Sequence, residues 1–319
     1  MVELTNRLCR KVVTVTLNPV LDKTLWVKDF CAGGTFQVDR SEDVAGGKGV
    51  NVSRALKTMG FDSTASGLMA EGVSAPYIQL MERDGIAHDF LMTEGNLRMN
   101  ITVVSGGQNG ETHLRDKGPL LREELLPELE KKLKAMISRN TLYVVAGSLP
   151  RGLPDASYHR LIKCVKSWGS HAVLDSSGQP LLEGLKAKPF FIKPNSYEVE
   201  EVLGFLPETR KTLIRAVERF HSTGIENVMI TLGKRGVVFS QGGKAVLARA
   251  SVERPVNSVG SGDAALAGAL AGMLSELGTE DTARLACAMG AANTLVSGAC
   301  VFLKKDVFRL MEEVYVQPL

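Results

Sequence analysis

The sequence predicts an α/β protein in three layers, a mostly parallel central sheet with helices on both faces, carrying a small separate β-sheet. Three observations predict it. From Leu121 onward, continuous apolar runs alternate with amphipathic charged segments, as parallel strands and their crossover helices do. Between residues 86 and 115, short strand-like segments follow one another with no helix alternating between them, so they belong to a second sheet. The chain has 319 residues, 44% of them hydrophobic and 23% charged, enough to bury one large core and too apolar for a disordered chain.

The elements follow in order. The β-branched run 11–17 is a strand ended by Asn18-Pro19, and 50–59 is a helix stopped by Gly60. Residues 63–68 read as a strand and 76–83 as a helix. Segments 86–91, 98–104 and 111–115 are short strands expected outside the main sheet, the last two separated by Gly106, Gly107 and Gly110 as in a hairpin. Then come a charged amphipathic helix at 121–137, the apolar strand 142–146, a helix at 155–168, and a strand 171–174 leading into Asp175. A strand at 190–192, helices at 199–203 and 211–222, and a strand at 228–231 continue the alternation. Segments 237–240 and 244–250 flank Gly242-Gly243 as an antiparallel hairpin at one edge. Helices at 263–277, 279–296 and 305–314 complete the chain. This implies one domain over 1–319, with the small sheet built from about 20–45 and 86–116.

Composition excludes several classes. A net charge of +3 without a basic cluster argues against a nucleic-acid partner. Five scattered cysteines (Cys9, Cys31, Cys164, Cys287, Cys300) with no CxxC pair read as reduced thiols acting as small core hydrophobes. No stretch has the ~18–20 uncharged apolar residues of a membrane span. The best candidate, 264–274, carries Gly268 and Gly272 between Asp263 and Glu276 and reads as a buried helix packed closely on a sheet. The N-terminus lacks a signal-peptide apolar region, so a cytoplasmic location is expected. The five histidines show no metal-ligand spacing.

Chemistry concentrates in two glycine-rich segments, each leading into a helix. In Val256-Asn257-Ser258-Val259-Gly260-Ser261-Gly262-Asp263, the glycines let an anion approach the unpaired amides of a helix N-terminus. Asp263 beside such an anion either accepts a proton from an attacking hydroxyl or caps the helix; the local pattern leaves both open. In Ala45-Gly46-Gly47-Lys48-Gly49-Val50-Asn51, the glycines permit close approach, Lys48 brings charge and Asn51 can bond hydroxyls. The alternative is a plain glycine turn, since the segment is neither a Walker A loop nor GxGxxG.

With five further segments these carry a resemblance. They are Thr16-Leu17-Asn18-Pro19 through Asp22, Arg98-Met99-Asn100-Ile101, Gly147-Ser148-Leu149-Pro150, Lys193-Pro194-Asn195 with Glu198, and Thr231-Leu232-Gly233 with Gly236. The chain resembles the phosphofructokinase-B branch of the ribokinase-like sugar kinases, in particular its 1-phosphofructokinases and tagatose-6-phosphate kinases, over nearly its whole length. Met99 where Thr is usual, Ser261 where Ala is common, and Asp116-Lys117 where Glu-Pro is usual depart from the branch; the last puts the local loop geometry in question.

The resemblance implies a ribokinase-like three-layer αβα sandwich whose small β-sheet is a lid. It implies ATP-dependent phosphorylation of a ketohexose phosphate, with ATP and Mg²⁺ as cofactors. Asp263 is then the base, and the amides of Gly260, Ser261 and Gly262 form the anion hole. Asp22, Gly46, Gly47, Asn51 and Ser148 meet the sugar, and Arg40, Lys48 and Arg98 its phosphate. Lys193, Asn195, Thr231, Gly233, Gly236 and Asn293 line the nucleotide site, and Asn195 with Glu198 serves the metal. The partners implied are a small-molecule sugar phosphate and a second copy of the chain, as a homodimer through the lid. Fructose 1-phosphate is the first expectation for substrate, with tagatose 6-phosphate and fructose 6-phosphate as alternatives. A degenerate kinase fold that senses a sugar phosphate is the alternative of another class.

Overall fold

The computed structural model describes residues 11–106, 110–138 and 140–319; Cys9 and Gly107 lie outside them. The N-terminal half runs β1 (Val12–Thr16), β2 (Val20–Lys28), β3 (Arg40–Gly46), α1 (Lys48–Met59), β4 (Thr64–Gly72), α2 (Ser74–Arg83), β5 (Ala87–Asn96), β6 (Arg98–Gly106), β7 (Glu111–Arg115) and α3 (Leu125–Ala135). Next come β8 (Leu142–Ala146), α4 (Ser157–Ser167), β9 (His171–Asp175), α5 (Gly178–Leu185), β10 (Phe191–Ile192), α6 (Ser196–Leu203), α7 (Arg210–Ser222) and β11 (Asn227–Thr231). The chain ends with β12 (Val237–Gln241), β13 (Lys244–Arg249), α8 (Ser261–Leu274), α9 (Thr279–Asn293), α10 (Lys304–Glu313) and β14 (Tyr315–Pro318).

Ten strands form the large sheet in the order β14-β13-β12-β11-β10-β9-β8-β1-β4-β5. The seven from β11 to β5 pair in parallel, and β12 to β14 add an antiparallel margin. Side chains alternate between faces, and both faces are covered. Leu142, Val144 and Ala146 of β8 join α1, α8, α9 and α10 in one core, while Tyr143 and Val145 join α3, α4 and α7 in the other. A third cluster, with Tyr77 and Met81 of α2 against Leu21, Ala45 and Leu97, seats the second sheet. That sheet has the order β3-β2-β6-β7, with β7 exposed along its whole length.

Four expectations are corrected. Of the segment 86–91, residues 87–91 lie in β5, which pairs with β4 at the edge of the large sheet. The reason is α2, which makes β4-α2-β5 a parallel crossover unit, so the second sheet takes only β2, β3, β6 and β7. The 237–250 hairpin turns on Gly242-Gly243 but is not an edge, because β14 pairs outside β13. Gly268 and Gly272 of α8 face a helix: a Cβ there would meet Ala286 and Thr282 of α9 at 2.7 and 2.9 Å. Cys31 is exposed, unlike buried Cys287 and Cys300. Among the described residues no helix is long and apolar enough to cross a membrane.

Candidate active site

The carboxyl ends of β1, β8, β9, β10 and β11 open toward one side of the large sheet, where α1 and α8 begin. Such strand ends are where α/β sheets bind ligands. Gly260 precedes α8 with φ of 83°, and a Cβ on it would meet Ala299 Cβ at 2.7 Å, so glycine is required on both counts. Among the described residues no protein acceptor takes the Gly260, Gly262 or Asp263 amide. The Ser261 amide differs: it donates to Ser258 O at 3.2 Å, which removes Ser261 from the expected anion-hole donors.

Asp263 is 6% exposed, and one of its oxygens, Oδ2, accepts from Asn51 Nδ2 of α1 at 2.8 Å. It lies in the first turn and does not cap α8. Burial pushes its carboxyl up to about 6 and nearby Asp175 adds to the rise, while Lys48, the Asn51 hydrogen bond and Lys193 oppose it. A carboxyl group at that value is a base near neutral pH and still holds an accepted proton in part.

Asp175, at the end of β9, is the functional residue that sequence reasoning missed. It is 0% exposed, and its Oδ1 pairs with both Lys48 Nζ at 2.9 Å and Lys193 Nζ at 3.1 Å. Burial pushes its carboxyl up, but the two lysines outweigh that and hold it below the usual range. Lys48 in turn is held charged despite burial by Asp175 and Asp263. The available signal was an acidic residue ending an apolar strand. Lys193 also lies under the α8 terminus, 3.4 Å from where a Gly262 Cβ would be. The site thus sets one buried cation, Lys193, and one partly exposed cation, Lys48, beside free helix amides, an arrangement suited to a phosphoryl group.

A second group lies where the small sheet meets α1. Asp22 of β2 accepts from Asn100 Nδ2 of β6 at 2.9 Å, and burial pushes its carboxyl up. Its Oδ2 lies 2.1 Å from where a Cβ on Gly46 would sit, so the glycine admits the carboxylate. The Gly46 carbonyl accepts from Tyr77 Oη at 2.8 Å, and Gly47 precedes α1. Among the described residues Asn100 Oδ1 and Asn18 Oδ1 are buried with no hydrogen-bond partner, acceptors that sugar hydroxyls could satisfy. Arg98 donates from Nη2 to Asn18 O at 2.8 Å and from Nε to Asn18 O and Pro19 O, leaving Nη1 without a partner among the described residues. Ser148 Oγ accepts from Asn18 Nδ2 at 3.2 Å. The Asp116-Lys117 departure is accommodated, because Asp116 accepts from the Met99 and Gly118 amides.

A third group is the nucleotide side. Asn195 and Glu198 form a reciprocal capping box on α6: Asn195 Oδ1 accepts from Tyr197 N and Glu198 N, and Glu198 Oε2 accepts from Asn195 N at 2.7 Å. Thr231, at the end of β11, bridges to Asn195 just beyond β10 in the interior of the sheet. Gly233 and Gly236 close the tight turn before β12, with Leu232 N donating to Gly236 O. Among the described residues no three His, Cys, Asp or Glu side chains converge on a metal-sized site. Asn195 has its side-chain oxygen committed, whereas Glu198 keeps Oε1. That fits a Mg²⁺ held mainly by phosphate oxygens and waters, with Glu198 as its acidic neighbour.

Two expected residues stand apart. Arg40 is stacked over Trp26 at 4.4 Å and paired with Glu42. Trp26 is four residues along β2 from Asp22, or roughly 13 Å, so Arg40 is not a phosphate ligand within this chain. Asn293 is 0% exposed; it donates to Val259 O and Ser261 Oγ and accepts from Cys300 N. It pins the glycine-rich turn and offers nothing to a nucleotide.

A pfkB family carbohydrate kinase model matches residues 15–306. The chain is 32% identical to a 1-phosphofructokinase of Borreliella burgdorferi over 311 residues, covering 97% of this chain and 99% of that one. It is 31% identical to a tagatose-6-phosphate kinase of Staphylococcus epidermidis over 287 residues, covering 89% and 92%. The solved phosphofructokinase-2 from Escherichia coli in complex with fructose-6-phosphate shares the fold, with a TM-score of 0.84 at 21% identity over 95% of this chain and 98% of that one. With the match running from β1 into α10, the chain belongs to the pfkB family of carbohydrate kinases.

Proposed function

We propose that the protein transfers the γ-phosphoryl group of ATP to a ketohexose phosphate, with fructose 1-phosphate, giving fructose 1,6-bisphosphate, as the preferred acceptor. The observation that carries this is Asp263, a buried carboxylate held by Asn51 at the start of a glycine-entered helix, beside Lys48 and Lys193. Full-length similarity to a 1-phosphofructokinase and to a tagatose-6-phosphate kinase supports the substrate class.

Asp263 takes the proton of the free primary hydroxyl as its oxygen bonds to the γ-phosphorus; the bond to the β,γ-bridging oxygen breaks and ADP leaves with that electron pair. The Asn51 hydrogen bond occupies one Asp263 oxygen and so directs the other to the hydroxyl. The amides of Gly260, Gly262 and Asp263 stabilise charge on the transferred group, as preorganised donors do. Lys193 adds charge beneath them, and Asp175 keeps both lysines in place. Mg²⁺, when bound, supplies further neutralisation of the phosphates. Asp22 and Asn100 orient hydroxyls, and Arg98, through Nη1, holds the second phosphate. The exposed β7 with Leu114 at its surface supports pairing of two copies through the small sheet.

A coupled assay of ATP consumption with Mg²⁺ tests the proposal against fructose 1-phosphate, tagatose 6-phosphate, fructose 6-phosphate and fructose. A preference among the phosphates is expected; turnover with fructose alone would remove Arg98 as a phosphate clamp. Because Asp263 acts deprotonated and titrates near 6, kcat/KM should fall tenfold per pH unit on the acid side of about pH 6. A rate that is flat from pH 7 down to 4.5 would exclude Asp263 as the base.

A further inference from the structure

Arg54 is 4% exposed on α1, one turn beyond Asn51 and on the same helix face. Its guanidinium meets four partners. Nη1 donates to Asn51 Oδ1 at 3.2 Å and to Ala299 O at 3.3 Å, Nη2 to Ala45 O at 2.7 Å, and Nε to Asp84 Oδ2 at 2.8 Å. Three of these partners belong to parts of the site, and the fourth, Asp84, lies outside it, just after α2. Asn51 holds Asp263, Ala299 is the residue against which Gly260 packs, and Ala45 lies in β3 of the small sheet one residue before the Gly46 that admits Asp22.

We infer that Arg54 is a positioning residue for the transfer step, fixing the orientation of the Asn51 amide against Asp263 and anchoring the turn behind Gly260. This rests on the reading of Asp263 as base. An amide presents a donor on one side and an acceptor on the other. For Nδ2 to face Asp263, Oδ1 must face a donor, and Arg54 supplies it. Without that donor, a flipped amide would turn Oδ1 toward the Asp263 carboxylate. The base would then lose a donor that favours its charged form, and the Gly260 turn would lose its tether. The charged groups facing Asp263 are Asp175, Lys48 and Lys193; those around Arg54 include Asp84 and Asp22.

The test compares wild type, Arg54→Lys, Arg54→Met and Asp84→Asn. A lysine cannot reach Asn51, Ala45, Ala299 and Asp84 together. Both Arg54 variants should lose 10- to 100-fold in kcat, the scale of a reacting group misplaced by about 1 Å, with KM for ATP within twofold. Their acid limbs should move to higher pH. Asp84→Asn, which removes the ion pair and spares the Asn51 bond, should keep kcat within about twofold. In a double-mutant cycle, Arg54→Lys should add little to Asn51→Ala. An unchanged kcat and acid limb in Arg54→Lys, additivity with Asn51→Ala, or failure of both Arg54 variants to fold would overturn the inference and leave Arg54 a core ion-pair residue. A readout free of substrate separates this from the function itself. The protonated-carboxyl infrared band assigned by its loss in Asp263→Asn should titrate at higher pH in Arg54→Lys with no sugar phosphate present; wild type inactive on every ketohexose phosphate would instead sink the proposed function.

Discussion

Asp263→Asn is expected to lower turnover by about 10²–10⁴-fold, the usual contribution of a positioned proton acceptor, while leaving ligand binding in place. Asn keeps the shape and still accepts from Asn51 Nδ2, so the loss is chemical. The same substitution should raise the unfolding temperature at pH 7.5. Asp263 is buried, and its folded pKa stands near 6 against an ordinary value of 3.8. The unfolded chain therefore releases this proton at lower pH than the folded one. Stability that the group contributes below pH 3.8 is lost as pH rises toward 6. The Asn variant escapes that loss, so it should gain over wild type at pH 7.5, with the gap closing toward pH 4. Thermal unfolding at both pH values checks it. An Asn variant less stable than wild type at pH 7.5 would show that the carboxylate is well satisfied where it sits, and activity within tenfold of wild type would remove Asp263 as base.

Asp175→Ala should destabilise the fold by about 3–5 kcal/mol, the range for removing one partner of a buried ion pair. Lys193 is 5% exposed, and the substitution leaves it and Lys48 close together without their shared ion-pair partner, with Asp263 left as a nearby opposite charge. Urea unfolding at pH 7 gives the loss. Asp175→Ala with Lys193→Met should recover part of it, because the second change removes the stranded charge. A loss below about 1 kcal/mol would mean that water or another acceptor already serves the lysines. The pH sense is opposite to that of Asp263. The folded Asp175 carboxyl is held below its ordinary value, so its stabilisation is present above pH 3.8 and disappears as pH falls through the folded pKa.

Periodicity and glycine-rich helix starts were enough to read the layered α/β fold and most of its helices and strands, because these are properties of 10 to 15 consecutive residues. The resemblance drawn from the ordered segments implied Asp263 as base, Asp22, Asn51 and Lys48 toward the sugar phosphate, and Lys193 toward the nucleotide, before any distance was known. Tertiary structure decided the rest. The β5 pairing depends on which edge α2 carries the chain to, and no local pattern encodes that. Asp175 looked like an ordinary strand end until β9 fell between Lys48 and Lys193. Nothing in the local pattern singles out Arg54, whose role depends on the burial of α1 against residue 299 and the end of β3. Arg40 and Asn293 failed for the same reason in reverse: each had the right chemistry, but Trp26 and Glu42 hold one away from the site, and the 259–261 turn and Cys300 use up the other. Local sequence fixes which groups a segment can offer. Long-range packing fixes which of them remain available, because a hydrogen-bond donor or charge engaged within the fold is no longer available to a ligand.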